Sequence, residues 1–141
     1  MTVNSATARY EGLGKEGKGR VKFASGALDA PYGFGTRFED EAGTNPEEMI
    51  AAAHAACFTM ATSFALAKAG HNDGTLEAEC KVTLQPSDGG FTVTKSALSL
   101  VARVAGLDRA EFERLANEAK AGCPISKLLN CEITLEARLE D

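Results

Sequence analysis

The run from Met49 to Ala67 holds 19 residues without one Asp, Glu, Lys or Arg. It lies inside the stretch from Asn45 to Gly70, which carries helix signals at both ends. Asn45 can cap the helix, Pro46 suits its first position, and Glu48 falls where a capping box places an acid. Lys68 stands in the last turn with Gly70 just beyond, as a helix C-terminus prefers. A helix apolar on every side has to be covered on every side. The run is barely long enough to cross a bilayer. Eight of its residues are Ala, and His54, Thr59, Thr62 and Ser63 interrupt it, so its hydrophobicity is modest. The expectation is a buried central helix and no membrane span.

The remaining elements are shorter. Thr7 to Glu11 and Arg20 to Ala24 read as strands separated by the glycine-rich GLGKEGKG, and PYGFGTRFED as a short strand or an ordered loop. After the long helix the period changes to two. Leu76, Ala78, Cys80, Val82 and Leu84 alternate with polar residues, and the loop PSDGG leads into a second strand from about Phe91 to Val104. The apolar phase slips along that strand, which predicts a bulge near Lys95 to Ala97. Asp108 with Glu111 opens another helix, with Phe112, Leu115 and Ala119 as its inner stripe and Gly122 at its end. A helical turn from Pro124 to Leu129 and a last strand through Cys131, Ile133, Leu135, Ala137 and Leu139 follow. This order predicts an α+β fold in a single domain over residues 1–141, with mainly antiparallel sheets around the long helix. Sheets in so small a domain cover mainly one side of that helix, so a homodimer is expected to cover the rest.

Composition narrows the function. The 15 basic and 20 acidic residues give a net charge of −5 with no basic cluster, and Trp is absent, so nucleic-acid binding is not expected. The N-terminal MTVNSATARYEG lacks a basic segment followed by an apolar run, which points to a cytoplasmic protein. Four cysteines in that compartment read as thiols or redox groups rather than a disulfide framework. Cys80 and Cys131 are in phase with apolar strand residues and read as packing. Cys57 sits amid the long helix. Cys123 follows a helix-ending Gly and precedes Pro124, a helix start whose N–H groups favour a thiolate. His54 and Cys57, spaced i and i+3, leave open a metal site, a Cys–His nucleophile pair, or a histidine hydrogen-bonded within the core. Two ligands make only half a tetrahedral set, and no metal is expected.

Three segments carry a specific pattern: GTNPEEMIAAAHAACF from Gly43, PYGFGTRFE from Pro31 and AKAGCPISKLL from Ala119. Together they closely resemble the OsmC branch of the OsmC/Ohr family over essentially the whole chain. The histidine in HAACF and the PISK after the second cysteine favour that branch over Ohr, which usually reads Tyr and PYS there. The resemblance implies an intertwined homodimer with two interface active sites, and a thiol-dependent peroxidase reducing organic hydroperoxides and hydrogen peroxide without a bound cofactor. It makes Cys57 the peroxidatic and Cys123 the resolving cysteine, joined as a disulfide after oxidation. It assigns Glu47 to orient a catalytic arginine, placed at Arg37 in the OsmC branch, or nearer Arg20 or Lys18 if the Ohr pattern holds. It also implies a dithiol reductant, dihydrolipoamide or a lipoylated protein.

The chemistry is consistent with these residues. A thiolate cleaves the peroxide bond, a guanidinium offsets the penalty of forming it in an apolar setting, and a carboxylate balances the guanidinium. Met49, Ile50, Met60 and Phe64 would offer an apolar lining for an alkyl hydroperoxide. Glu47 and Cys57 are ten positions apart, about 15 Å along a helix. That spacing motivates a composite site, with Cys57 and Cys123 from one chain and Glu47 and Arg37 from the other. Two other readings remain: a hydrolase using Cys57 with His54, which would not depend on Cys123, and a non-enzymatic dimeric binder of a hydrophobic ligand.

Overall fold

The computed structural model describes residues 1–140. The chain divides into two compact units, Met1–Met49 and the remainder from Ile50. In the first, strands β1 (Ala6–Glu11), β2 (Lys18–Phe23) and β3 (Asp29–Tyr32) form an antiparallel meander in that order. The segment expected as a strand or loop is instead divided, with β3 ending at Tyr32 and a short helix α1 over Phe34–Phe38. Thr36 closes that helix locally: Gly33 N–H donates to Thr36 Oγ1 at 2.8 Å, and the hydroxyl donates to Gly33 O at 3.1 Å. Five residues are too few for a helical period to appear in the sequence.

Helix α2 runs from Pro46 to Lys68 without interruption. Asn45 Oδ1 accepts the Glu48 N–H at 2.8 Å, giving the expected cap, while the Glu48 carboxylate accepts from Thr44 Oγ1 at 2.7 Å. At the other end Gly70 adopts φ +99°, and the His71 N–H closes back onto Leu66 O at 2.9 Å. A side chain at position 70 would strain that turn.

The second unit holds β4 (Thr75–Ser87), β5 (Gly90–Arg103), α3 (Arg109–Gly122), α4 (Pro124–Leu128) and β6 (Glu132–Glu140). β5 is the central strand, antiparallel to β4 and parallel to β6. The helical crossover through α3 and α4 is what allows the parallel pairing. Thr83 pairs with Lys95 and Leu84 with Val93, so Thr94 is the extra residue, one position before the expected bulge. Asp108 caps α3 by accepting the Glu111 N–H at 3.1 Å. The core joins Phe58 and Leu66 of α2, Leu98 and Leu100 of β5, and Phe112 and Leu115 of α3.

The chain covers one stripe of α2. His54, Phe58, Thr62 and Leu66 are buried at four-residue spacing, whereas Met60 and Phe64 are 60% and 69% exposed. One three-stranded sheet with one helix cannot enclose a cylinder apolar all round. By length and composition α2 is also able to cross a membrane, a test that core helices of soluble proteins pass as well.

Candidate active site

The first unit holds an arginine clasped by a carboxylate. Arg37 stands in the last turn of α1 and Glu47 in the first turn of α2. Asn45 Nδ2 donates to Thr36 O at 2.9 Å, and Thr44 N–H donates to Pro31 O at 3.0 Å, which fixes the start of α2 against α1. Gly43 permits this approach, since a Cβ there would lie 2.5 Å from Pro31 O. Arg37 Nε donates to Glu47 Oε1 and Nη2 to Oε2, both at 2.8 Å, a bidentate fork. The bond to Glu47 raises the Arg37 pKa, with burial opposing it. Arg20, the alternative arginine, pairs with Asp29 at 2.6 Å. A cavity of about 510 Å³ opens beside Arg37, lined by Tyr10, Tyr32, Phe34, Phe38 and Pro46 among others. Three of these rings, Tyr32, Phe34 and Phe38, belong with Arg37 to the segment PYGFGTRFED.

The thiols lie in the second unit, and all four are free. Cys57 is half-buried on α2, and Cys123 is buried at the N-cap of α4. Burial pushes the Cys57 thiol up, the Ile125 backbone N–H pulls it back, and the neighbouring Cys123 pushes it up again. The Ser126 N–H donates to Cys123 Sγ at 3.3 Å. The first turn of α4 thus places the Ile125 N–H by Cys57 and sends the Ser126 N–H to Cys123 Sγ. Pro124 at the head of the helix sets this up, because it starts the helix without needing an acceptor.

His54 hydrogen-bonds within the core, the blandest of the three readings open to it. Its Nδ1 lies 2.6 Å from Ser96 Oγ and its Nε2 2.7 Å from Ser126 Oγ, so serines occupy both ring nitrogens. Burial lowers its pKa. No cluster suited to a metal ion occurs among the described residues. Ser126 Oγ also lies 3.1 Å from Cys123 Sγ, and Ser96 Oγ 3.1 Å from Cys80 Sγ. Cys80 is thus more than strand packing: its sulfur reaches Ser96 and comes within 3.9 Å of His54 Nδ1. Burial raises the Cys80 pKa, Ser96 lowers it, and Cys131 raises it. Ser96 and Ser126 were missed, although Ser126 stands three residues after a helix-capping cysteine, where a short polar side chain can reach back.

The sequence model of OsmC-like proteins matches residues 38–138. The chain belongs to the OsmC family. It is 48% identical to the peroxiredoxin OsmC of Escherichia coli K12, over 99% of both chains. It is 35% identical to the organic hydroperoxide resistance protein OhrB of Bacillus subtilis, over 71% of this chain and 74% of that one. The crystal structure of OhrB from Bacillus subtilis superposes with a TM-score of 0.71 at 28% identity, covering 99% and 98% of the two chains. The α+β architecture, with two three-stranded sheets and a long helix, is therefore the family's fold.

Proposed function

We propose that this protein is a thiol-dependent peroxidase that reduces organic hydroperoxides, and hydrogen peroxide, to alcohols and water. The observation that carries the reading is the Cys57–Cys123 pair, two interacting thiols that each receive a backbone N–H from the first turn of α4. The names of the relatives support it, a peroxiredoxin in Escherichia coli and an organic hydroperoxide resistance protein in Bacillus subtilis. The Cys57 thiolate attacks the distal peroxide oxygen, and the alkoxide leaves as alcohol after taking a proton. Cys57 becomes a sulfenic acid. Cys123 condenses with it, releasing water and forming the disulfide that guards against over-oxidation. A dithiol, dihydrolipoamide or a lipoylated protein, then reduces the pair and becomes a cyclic disulfide.

Arg37 is the cation that favours the thiolate and binds the peroxide, and Glu47 orients it. The aromatic cavity beside Arg37 suits an alkyl or aryl hydroperoxide. The apolar face of α2 that carries Met60 and Phe64 is the dimer interface, which keeps this helix out of a membrane. We place the protein in the cytoplasm as an intertwined homodimer, with residues 1–141 acting as a single domain in each subunit. Each active site combines Cys57 and Cys123 of one chain with Arg37 and Glu47 of its partner. The spacing of Glu47 and Cys57 along the unbroken α2 supports that division. The hydrolase reading loses its support, because both ring nitrogens of His54 are taken by serines.

The test is consumption of cumene hydroperoxide with dihydrolipoamide. Wild type turns over, Cys57→Ser is inert, and Cys123→Ser reacts once and stops. Absence of turnover by the reduced wild type rejects the peroxidase and brings the ligand-binding reading forward.

A further inference from the structure

We propose that Ser126 and His54 form a proton relay that ionises Cys123 for its attack on the Cys57 sulfenic acid. This deepens the peroxidase reading and rests on it. Cys123 and His54 are buried essentially completely and Ser126 nearly so, so bulk water does not reach the thiol. The hydroxyl beside Cys123 Sγ, at 3.1 Å, is that of Ser126. A hydroxyl is no base by itself, but Ser126 Oγ lies 2.7 Å from His54 Nε2. On the far side, His54 Nδ1 lies 2.6 Å from Ser96 Oγ, which lies 3.1 Å from Cys80 Sγ.

One assignment of hydrogens satisfies the whole row. Cys123 S–H donates to Ser126 Oγ, Ser126 O–H to His54 Nε2, His54 Nδ1–H to Ser96 Oγ, and Ser96 O–H to Cys80 Sγ. No buried side-chain nitrogen or oxygen is left without a partner among the described residues. The relay uses this tautomer, in which His54 Nδ1–H donates to Ser96 Oγ and Nε2 accepts from Ser126. When Cys123 attacks, its proton passes to Ser126 Oγ as the Ser126 proton passes to His54. The imidazolium keeps both serines as acceptors. The thiolate accepts from the Ser126 O–H and from the Ser126 N–H. Its electron pair forms the S–S bond and the S–O bond of Cys57 breaks. The departing hydroxide ends as water, and His54 returns its proton to neutral form. Overall, one thiol and one sulfenic acid give one disulfide and one water.

A histidine placed only for packing would make the same contacts, so the test separates closure of the disulfide from oxidation. Reduced wild type, His54→Gln, Ser126→Ala and Ser126→Thr are mixed with one equivalent of cumene hydroperoxide. Rapid quench and mass spectrometry then follow the sulfenic acid (trapped with dimedone) and the disulfide. Oxidation of Cys57 stays within about threefold of wild type, while closure slows about 100-fold in His54→Gln and Ser126→Ala. Ser126→Thr, which keeps the hydroxyl, restores most of the rate. Should His54→Gln fail to fold, the Ser126 pair decides alone. Variants that close at the wild-type rate, or a Ser126→Thr variant as slow as Ser126→Ala, overturn the relay and leave the peroxidase intact. A wild type that forms no Cys57–Cys123 bridge overturns both.

Discussion

Glu47→Gln removes the charge that holds Arg37 while keeping the shape of the side chain. The carboxylate accepts two bonds of 2.8 Å, with the Arg37 side chain 34% exposed and that of Glu47 13%. A fully exposed ion pair contributes about 0.2–1 kcal/mol. A hydrogen bond to a charged group away from water contributes about 1.5–3 kcal/mol. This pair stands between those limits, and solvent at the arginine end brings it to about 1–2 kcal/mol. Glu47 also lies in the first turn of α2, where a negative charge adds about 0.3–1 kcal/mol. The variant is therefore expected to lose about 1.3–3 kcal/mol in urea unfolding. Because Gln turns an amide donor toward the guanidinium, Arg37 also loses its fixed orientation. If about 2 kcal/mol of positioning is lost at the transition state, kcat/KM for cumene hydroperoxide falls about 30-fold. Steady-state turnover with dihydrolipoamide measures it, and Glu47→Asp, which keeps the charge, should lose less. A Gln variant within about twofold of wild type in kcat/KM would refute the role given to the pair.

Three further outcomes follow from the same geometry. Phe64→Asp puts a charge on the exposed apolar face of α2, and light scattering should find a 14.8 kDa monomer where the wild type has twice that mass; a variant that stays dimeric removes this face from the interface. Mixing Cys57→Ser subunits with Glu47→Gln subunits should recover turnover in heterodimers, each carrying one intact composite site, whereas a site built within one chain predicts none. In Arg37→Ala the Cys57 thiol keeps the upward push of burial, so its alkylation by iodoacetamide should climb with pH beyond the ordinary thiol range of about 8.5. Wild type should level off earlier; superimposable profiles would remove Arg37 from the ionisation of Cys57.

Much of this was legible in the residues. The caps at Asn45 and Asp108 and the period-two strand from Leu76 rest on contacts between near neighbours, and the structure places each element where those signals put it. Helix α1 was not legible, since it depends on the closure of Thr36 onto Gly33 and is shorter than any window in which a period could be counted. The parallel pairing of β6 with β5 is likewise a matter of crossover and not of local pattern. Within the site, Cys123 drew notice through its place between Gly122 and Pro124. Ser96 and Ser126 did not, because a buried serine carries no periodic signature and its meaning comes from a histidine 42 or 72 positions away.

The central claim is that Cys57 and Cys123 are the redox pair. Peptide mapping after one equivalent of cumene hydroperoxide tests it most directly, with remaining free thiols alkylated before digestion. The account predicts one disulfide, between Cys57 and Cys123, with Cys80 and Cys131 recovered as alkylated thiols. A bridge that includes Cys80 or Cys131 in place of either would contradict it.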